Sequence, residues 1–228
     1  MDLKRLAEFV GIIQGDGNLH KKSNCITIVG SLEDFYYYTI HVIPLITRLF
    51  NINPKLRKRN DRNAFYIDFN SKSVITFLSE DIGLVRGNKK SSRIPDLINS
   101  NTELIYPFLK GLFDTDGCLK FSKQGNEKNI YPRIQLCFRR TKFAYDVGEI
   151  LKKISFNYGK WEEDRANGLV FYQISGNNNL EKWFTKIRPS NAVHITKYLF
   201  WKKFGYYLPK SSLDSRLKAL SLNIDVIS

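Results

Sequence analysis

Two aspartates stand at equivalent places in this chain of 228 residues. Asp16 lies near the end of Phe9-Val10-Gly11-Ile12-Ile13-Gln14-Gly15-Asp16-Gly17, and Asp116 near the end of Leu109-Lys110-Gly111-Leu112-Phe113-Asp114-Thr115-Asp116-Gly117, at a constant offset of 100 (116 − 16). Each acid follows an apolar stretch with helical spacing, so each falls at a helix C-terminus. A carboxylate there opposes the helix dipole at a cost of about 0.3–1 kcal/mol. Small residues recur four apart in both copies, Gly11 with Gly15 and Gly111 with Thr115. That spacing lets two helix backbones approach closely, and parallel packing along those faces brings the two carboxylates together. About 4 Å apart they repel by roughly 4 kcal/mol at an effective dielectric of 20. A shared cation reverses both terms. Oxygen donors without neighbouring Cys or His favour a hard ion, Mg²⁺ before Zn²⁺.

The elements that must position these acids repeat as well. Leu3, Leu6, Val10 and Ile13 predict a helix over 2–14 with Asp2 as its N-cap and Gly17 as a left-handed stop. The second copy reads as a helix over 103–115, with Thr102 as cap, Gly117 as stop, and Pro107 kinking or delaying its start. After each motif the pattern gives a strand (26–29 and 133–139), a helix (34–50 and 142–156), a hairpin (55–59 with 64–70, and 160–164 with 169–175) and a closing helix (73–82 and 179–187). Each half therefore reads αββαββα, an α+β fold with antiparallel sheets. The expected divisions are a first repeat over 1–87, a polar basic linker over 88–100, a second repeat over 101–190 and a helical extension over 191–228, with helices expected at 196–204 and 212–220.

Composition narrows the partner. With 43% hydrophobic and 14% aromatic residues the chain can bury a core, which excludes disorder. The net charge is +14 and both halves share the excess, which points to a polyanion. The charged start, with Asp2, Lys4, Arg5 and Glu8, does not read as a signal peptide, and no apolar run reaches membrane-span length. Cys25, Cys118 and Cys137 lack CxxC spacing, which fits a reducing compartment. His20, His41 and His194 show no ligand or triad spacing.

The two nonapeptides resemble the LAGLIDADG motif of homing endonucleases and related RNA maturases. The second copy is close; the first departs at its sixth position, where Gln14 replaces the usual acid. With the doubled αββαββα order, the likeness covers nearly the whole chain and is to the single-chain, two-motif members. The resemblance implies motif helices at the interface between halves (Gly11, Gly15, Gly111, Thr115), sheets forming a saddle on the DNA major groove, and metal-binding acids at Asp16 and Asp116, with Gly15 and Thr115 joining them as candidate metal-site residues. It also implies a cationic or polar group near the scissile phosphates, for which Lys120, Lys197, Lys90 and Arg139 are candidates. The expected activity is Mg²⁺-dependent hydrolysis of both strands of a long, asymmetric duplex by a monomer, with Mn²⁺ or Ca²⁺ able to substitute in binding. An RNA-splicing maturase acting on its host intron RNA, or a non-cleaving nucleic-acid binder, is the rival on the same fold.

Strand alternation tests the saddle. Arg133, Gln135 and Arg139 share one side of their strand, and Ile134, Leu136 and Phe138 the other. Lys55, Arg57 and Arg59 share a side, and Asp68 and Asn70 alternate with apolar neighbours. Arg suits guanine edges, and Gln or Asn suits adenine. Arg62, Arg140, Lys160 and Gln173 complete the expected DNA-binding set. Lys89 and Arg93 of the linker are expected at phosphates. Replacing both together with Lys90 is then expected to flatten the salt slope by up to about 3.

Overall fold

The computed structural model describes residues 2–59, 63–123, 129–165 and 168–226. The first repeat runs α1 (Leu3–Gly15), β1 (Gly17–Leu19), β2 (Cys25–Ser31), an irregular helical stretch containing α2 (Phe35–Tyr37) and α3 (Ile43–Phe50), then β3 (Lys55–Lys58), β4 (Ala64–Asn70) and α4 (Lys72–Thr76). A short α5 (Asp96–Asn99) leads into the second: α6 (Thr102–Asp116), β5 (Gly117–Lys123), β6 (Asn129–Arg139), α7 (Lys142–Lys153), β7 (Gly159–Glu163), β8 (Leu169–Ser175) and α8 (Asn177–Lys186). Helices α9 (Ala192–Phe204) and α10 (Leu213–Leu220) follow. Each repeat holds one antiparallel four-stranded sheet, ordered β1-β2-β4-β3 and β5-β6-β8-β7. The fold is therefore α+β with two equivalent αββαββα units.

Local sequence explains the helix starts. The Asp2 side chain accepts from the backbone N–H of Lys4 and Arg5, an N-cap that satisfies two otherwise orphaned donors. At α6 the cap is Asn101 rather than Thr102, and Pro107 lies inside the helix without delaying it. Gly17 and Gly117 differ from expectation. Gly117 has φ −80°, and neither glycine has positive φ. They are needed for space: a Cβ on Gly17 falls 2.5 Å from Ile13 Cα, and one on Gly117 falls 2.5 Å from Phe113 O.

The core lies between the sheets and the helices and is continuous across both repeats, from Phe9 and Ile12 to Leu112 and Phe113. Helices α1 and α6 run parallel through its centre. A Cβ on Gly11 falls 2.1 Å from Phe108 O, and one on Gly111 falls 2.1 Å from Glu8 O, reciprocal contacts related by the repeat offset. One turn on, a Cβ on Gly15 falls 2.1 Å from Thr115 Oγ1. At Gly11 and Gly111 only backbone-to-backbone approach fits, and one turn on the Thr115 side chain fills the space over Gly15. Beside it, Glu8 accepts from His41 at 2.5 Å and pairs with Lys110 at 3.1 Å. Burial raises the Glu8 carboxyl, but these two partners outweigh it and hold it below its usual range.

Candidate active site

The seam ends at two carboxylates. Asp16 follows α1, Asp116 is the last residue of α6, and the Asp116 carboxyl carbon lies 3.4 Å from where a Gly15 Cβ would stand. Asp16 accepts a hydrogen bond from the Tyr38 hydroxyl at 2.5 Å. Burial, and then the Asp116 charge, push the Asp16 carboxyl up to about 7 despite that bond. Asp116 keeps solvent contact in the cleft while protein surrounds it. Burial pushes it up to about 6, and the Lys89 charge opposes the shift. Both acids thus sit where negative charge is poorly tolerated until a cation arrives.

One cation is already present. The Lys89 ammonium donates to three carbonyls at the end of α1, those of Ile13 at 2.7 Å, Gln14 at 2.8 Å and Gly15 at 3.0 Å. Burial draws this amine down to about 8, while Asp116 and Asp16 pull it back up. The linker therefore does not leave Lys89 in solvent; it inserts the side chain into the site. Gln14 fixes the path: its side chain accepts from the Ser92 hydroxyl at 2.8 Å and donates to the Arg93 carbonyl at 3.2 Å. Lys90 and Arg93 are exposed.

Among the described residues no three His, Cys, Asp or Glu side chains group to hold a metal. The donor set is two carboxylates and main-chain carbonyls. This fits a hard divalent ion that keeps water and substrate oxygens in most of its positions. A cleft of about 400 Å³ opens beside Asp116, and Gly15, Lys89, Lys90 and Arg139 line it with that acid. Arg139 and Lys90 are thus the two candidate cationic groups that reach the cleft. Lys120 lies on the strand after Asp116 and donates to the Gln135 side chain. Lys197 sits on α9, where its charge helps keep His194 neutral, and does not line the cleft.

The remaining expected residues divide by sheet face. On the first sheet Lys55 stands opposite Asp68, Arg57 opposite Tyr66, and Asn70 opposite Cys25, all on the face away from the core. Arg57 pairs with Asp68 at 3.1 Å. The Arg59 N–H donates to the Ala64 carbonyl at the hairpin end. On the second sheet one outer row runs Lys120, Arg133 and Ser175, and the next Cys118, Gln135 and Gln173. Two residues depart from this face. Lys160 stands opposite the buried Tyr172, 4.7 Å over the Tyr145 ring and 2.9 Å from Glu162. Arg140 is held by Glu162 and Asp164, each at 2.9 Å. Arg62 lies outside the described residues.

Solved structures share this fold. The chain superposes on I-DmoI in complex with DNA and Mn with a TM-score of 0.56 at 16% identity, covering 82% of this chain and 97% of that one. It superposes on the meganuclease I-SmaMI bound to uncleavable DNA with a TM-score of 0.56 at 11% identity, covering 95% and 97%. The chain has the LAGLIDADG homing-endonuclease fold. No family model matches the chain. Among curated proteins, a replication factor C small subunit from Thermococcus kodakarensis is 27% identical over 226 residues, 98% of this chain and 23% of the relative. A glutamine–fructose-6-phosphate aminotransferase from Methanocaldococcus jannaschii is 26% identical over 121 residues, 50% of this chain and 10% of the relative. The chain thus spans less than a quarter of these relatives. Within the LAGLIDADG fold, Tyr38 and the site position of Lys89 went unmarked in the sequence, because each reaches the site through distant tertiary contacts, and Gln14 was marked only as a departure from the motif.

Proposed function

We propose that this chain is a site-specific double-strand DNA endonuclease that uses a divalent metal, Mg²⁺ in the cell, and acts as a monomer on a long, asymmetric site. The observation that carries the reading is the meeting of Asp16 and Asp116 at the ends of two interlocked helices, beside two sheets with polar outer faces. A bound divalent ion supplies charge neutralisation at the phosphate and an activated water. The chain's own residues do the rest. Asp16 and Asp116 hold and orient the ion, and the Tyr38 hydroxyl fixes the Asp16 carboxylate. Arg139 and Lys90 offer positive charge at the cleft for the scissile phosphates. The two outer faces differ, with Lys55, Arg57 and Asn70 on one and Arg133, Gln135 and Gln173 on the other, so each half-site has its own sequence.

The curated relatives carry the matching segment as a small part of proteins named for unrelated activities, so neither name transfers to this chain. Incubation with Mg²⁺ and the uninterrupted DNA allele that flanks the chain's own reading frame tests the proposal. Cleavage of both strands at one defined place supports it. Stimulated splicing of a flanking intron without cutting supports the maturase reading instead.

A further inference from the structure

The two connectors follow matching paths but place different side chains beside the acids. Gln14 grips Ser92 and Arg93 after the first repeat. Its counterpart Asp114 grips the second connector, accepting from Ser190 N–H at 2.7 Å, while the Asp114 carbonyl accepts from the Asn191 amide at 2.9 Å. Lys89 stands three residues before Ser92 (92 − 89). Three residues before Ser190 (190 − 187) stands Ile187, which is buried in the core. An ammonium therefore enters the site from one side only. It occupies the Gly15 carbonyl, and among the described residues no side-chain or connector donor reaches the Thr115 carbonyl.

The interlock of Gly15 with Thr115 and Asp116 places the Gly15 backbone beside the other helix's acid, Asp116. A divalent ion would have two places to bind: Asp116 with the Gly15 carbonyl beside it, and, by the repeat relation between the helices, Asp16 with the Thr115 carbonyl. Of the two acids, Asp116 acts more strongly on the Lys89 charge. We propose, building on the metal-dependent nuclease reading, that Lys89 is a resident cation of the second position, so that the Asp16–Thr115 position fills first and the Asp116–Gly15 position fills only against the ammonium. A unit positive charge within a few ångströms of a divalent ion opposes it strongly, and the carbonyl that Lys89 holds is a ligand the ion loses.

Titration of the full chain with Mn²⁺ alone, read by electron paramagnetic resonance, tests this. The wild type is expected to bind one ion, with a second at least about tenfold weaker. Lys89→Met and Lys89→Gln are expected to bind two ions of similar affinity, which at roughly 4 Å separation show spin–spin coupling. Lys89→Arg keeps the charge and is expected to retain the one-ion pattern, which a purely structural lysine does not require. Asp16→Asn is expected to remove the tight ion, and Asp116→Asn to weaken chiefly the second. If Lys89→Met does not fold, Lys89→Gln, Lys89→Arg and the wild-type stoichiometry still decide. Two equal ions in the wild type overturn the inference and leave the nuclease reading standing. No Mn²⁺ uptake by the wild type removes the metal reading and the inference with it.

Discussion

The two repeats share a backbone plan and finish their motif helices with opposite chemistry. At the end of α1, a lysine from the following connector covers three carbonyls, and a tyrosine hydroxyl holds the acid. At the end of α6, the connector supplies neutral groups: Asn191 donates to the Asp114 carbonyl and to Asp34, and the imidazole of His194 packs 4.4 Å from the Phe113 ring. Burial pushes the Asp114 carboxyl up to about 8, and this acid accepts from the Ser190 N–H where Gln14 accepts from the Ser92 hydroxyl. The two repeats therefore share the close approach at Gly11 and Gly111, where only glycine fits, while the electrostatics of their helix ends differ.

The seam is where the halves must behave alike. Gly11→Val and Gly111→Val place a side chain into a carbonyl 2.1 Å away at equivalent points. Each is expected to cost at least about 3 kcal/mol, the upper range for overpacking, with the two losses nearly equal in urea unfolding. A large inequality breaks the claim that the contact is reciprocal.

The connectors are where the halves should differ. Asn191 is buried and makes three hydrogen bonds, to Asp34, to the Asp114 carbonyl and from Val193 N–H. Asn191→Ala is expected to lose about 2–3 kcal/mol, because it strands several buried partners. Gln14→Ala removes two bonds and is expected to lose about 1–2 kcal/mol. Thermal unfolding that ranks them the other way contradicts the assignment of the tighter clamp to the second connector.

His194 gives the pH signature of the neutral side. Burial first, then the charges of Lys197 and Arg216, draw its imidazole down from 6.5 to about 3. Because the folded value is depressed, the unfolded chain binds the proton preferentially between those limits. The His194 contribution to stability is complete above about pH 6.5 and is lost as pH falls toward 3, at up to about 1.4 kcal/mol per pH unit. Unfolding free energies for His194→Gln are expected to show a shallower acid limb, and an unchanged limb refutes a neutral buried ring.

Much of this was legible in the amino-acid order. The offset between the nonapeptides gave the doubled fold, and the Gly11 and Gly111 spacing gave the parallel seam that joins Asp16 to Asp116. Strand alternation placed Arg133, Gln135 and Arg139 on one face. Lys160 and Arg140 escaped that logic because nearby acids and an aromatic ring on the helix side engage them. Gly17 and Gly117 were legible as necessary glycines but for a different reason, since close approach of the backbone, not a left-handed turn, excludes a side chain there. Lys89 was the least legible. A lysine in a polar linker reads as an outward-facing phosphate contact, and only the grip of Gln14 on Ser92 and Arg93 turns it inward. The salt dependence expected of the linker shrinks accordingly to Lys90 and Arg93, a slope change of up to about 2.

The central claim is that Asp16 and Asp116 together form a metal-dependent cutting site. Its most direct test is cleavage of a supercoiled plasmid carrying the uninterrupted allele by the wild type, Asp16→Asn and Asp116→Asn, with gel-shift binding measured in parallel. Double-strand cutting is expected to disappear in both variants while binding to the same DNA persists. Linear product formed by either variant at the wild-type rate contradicts the account.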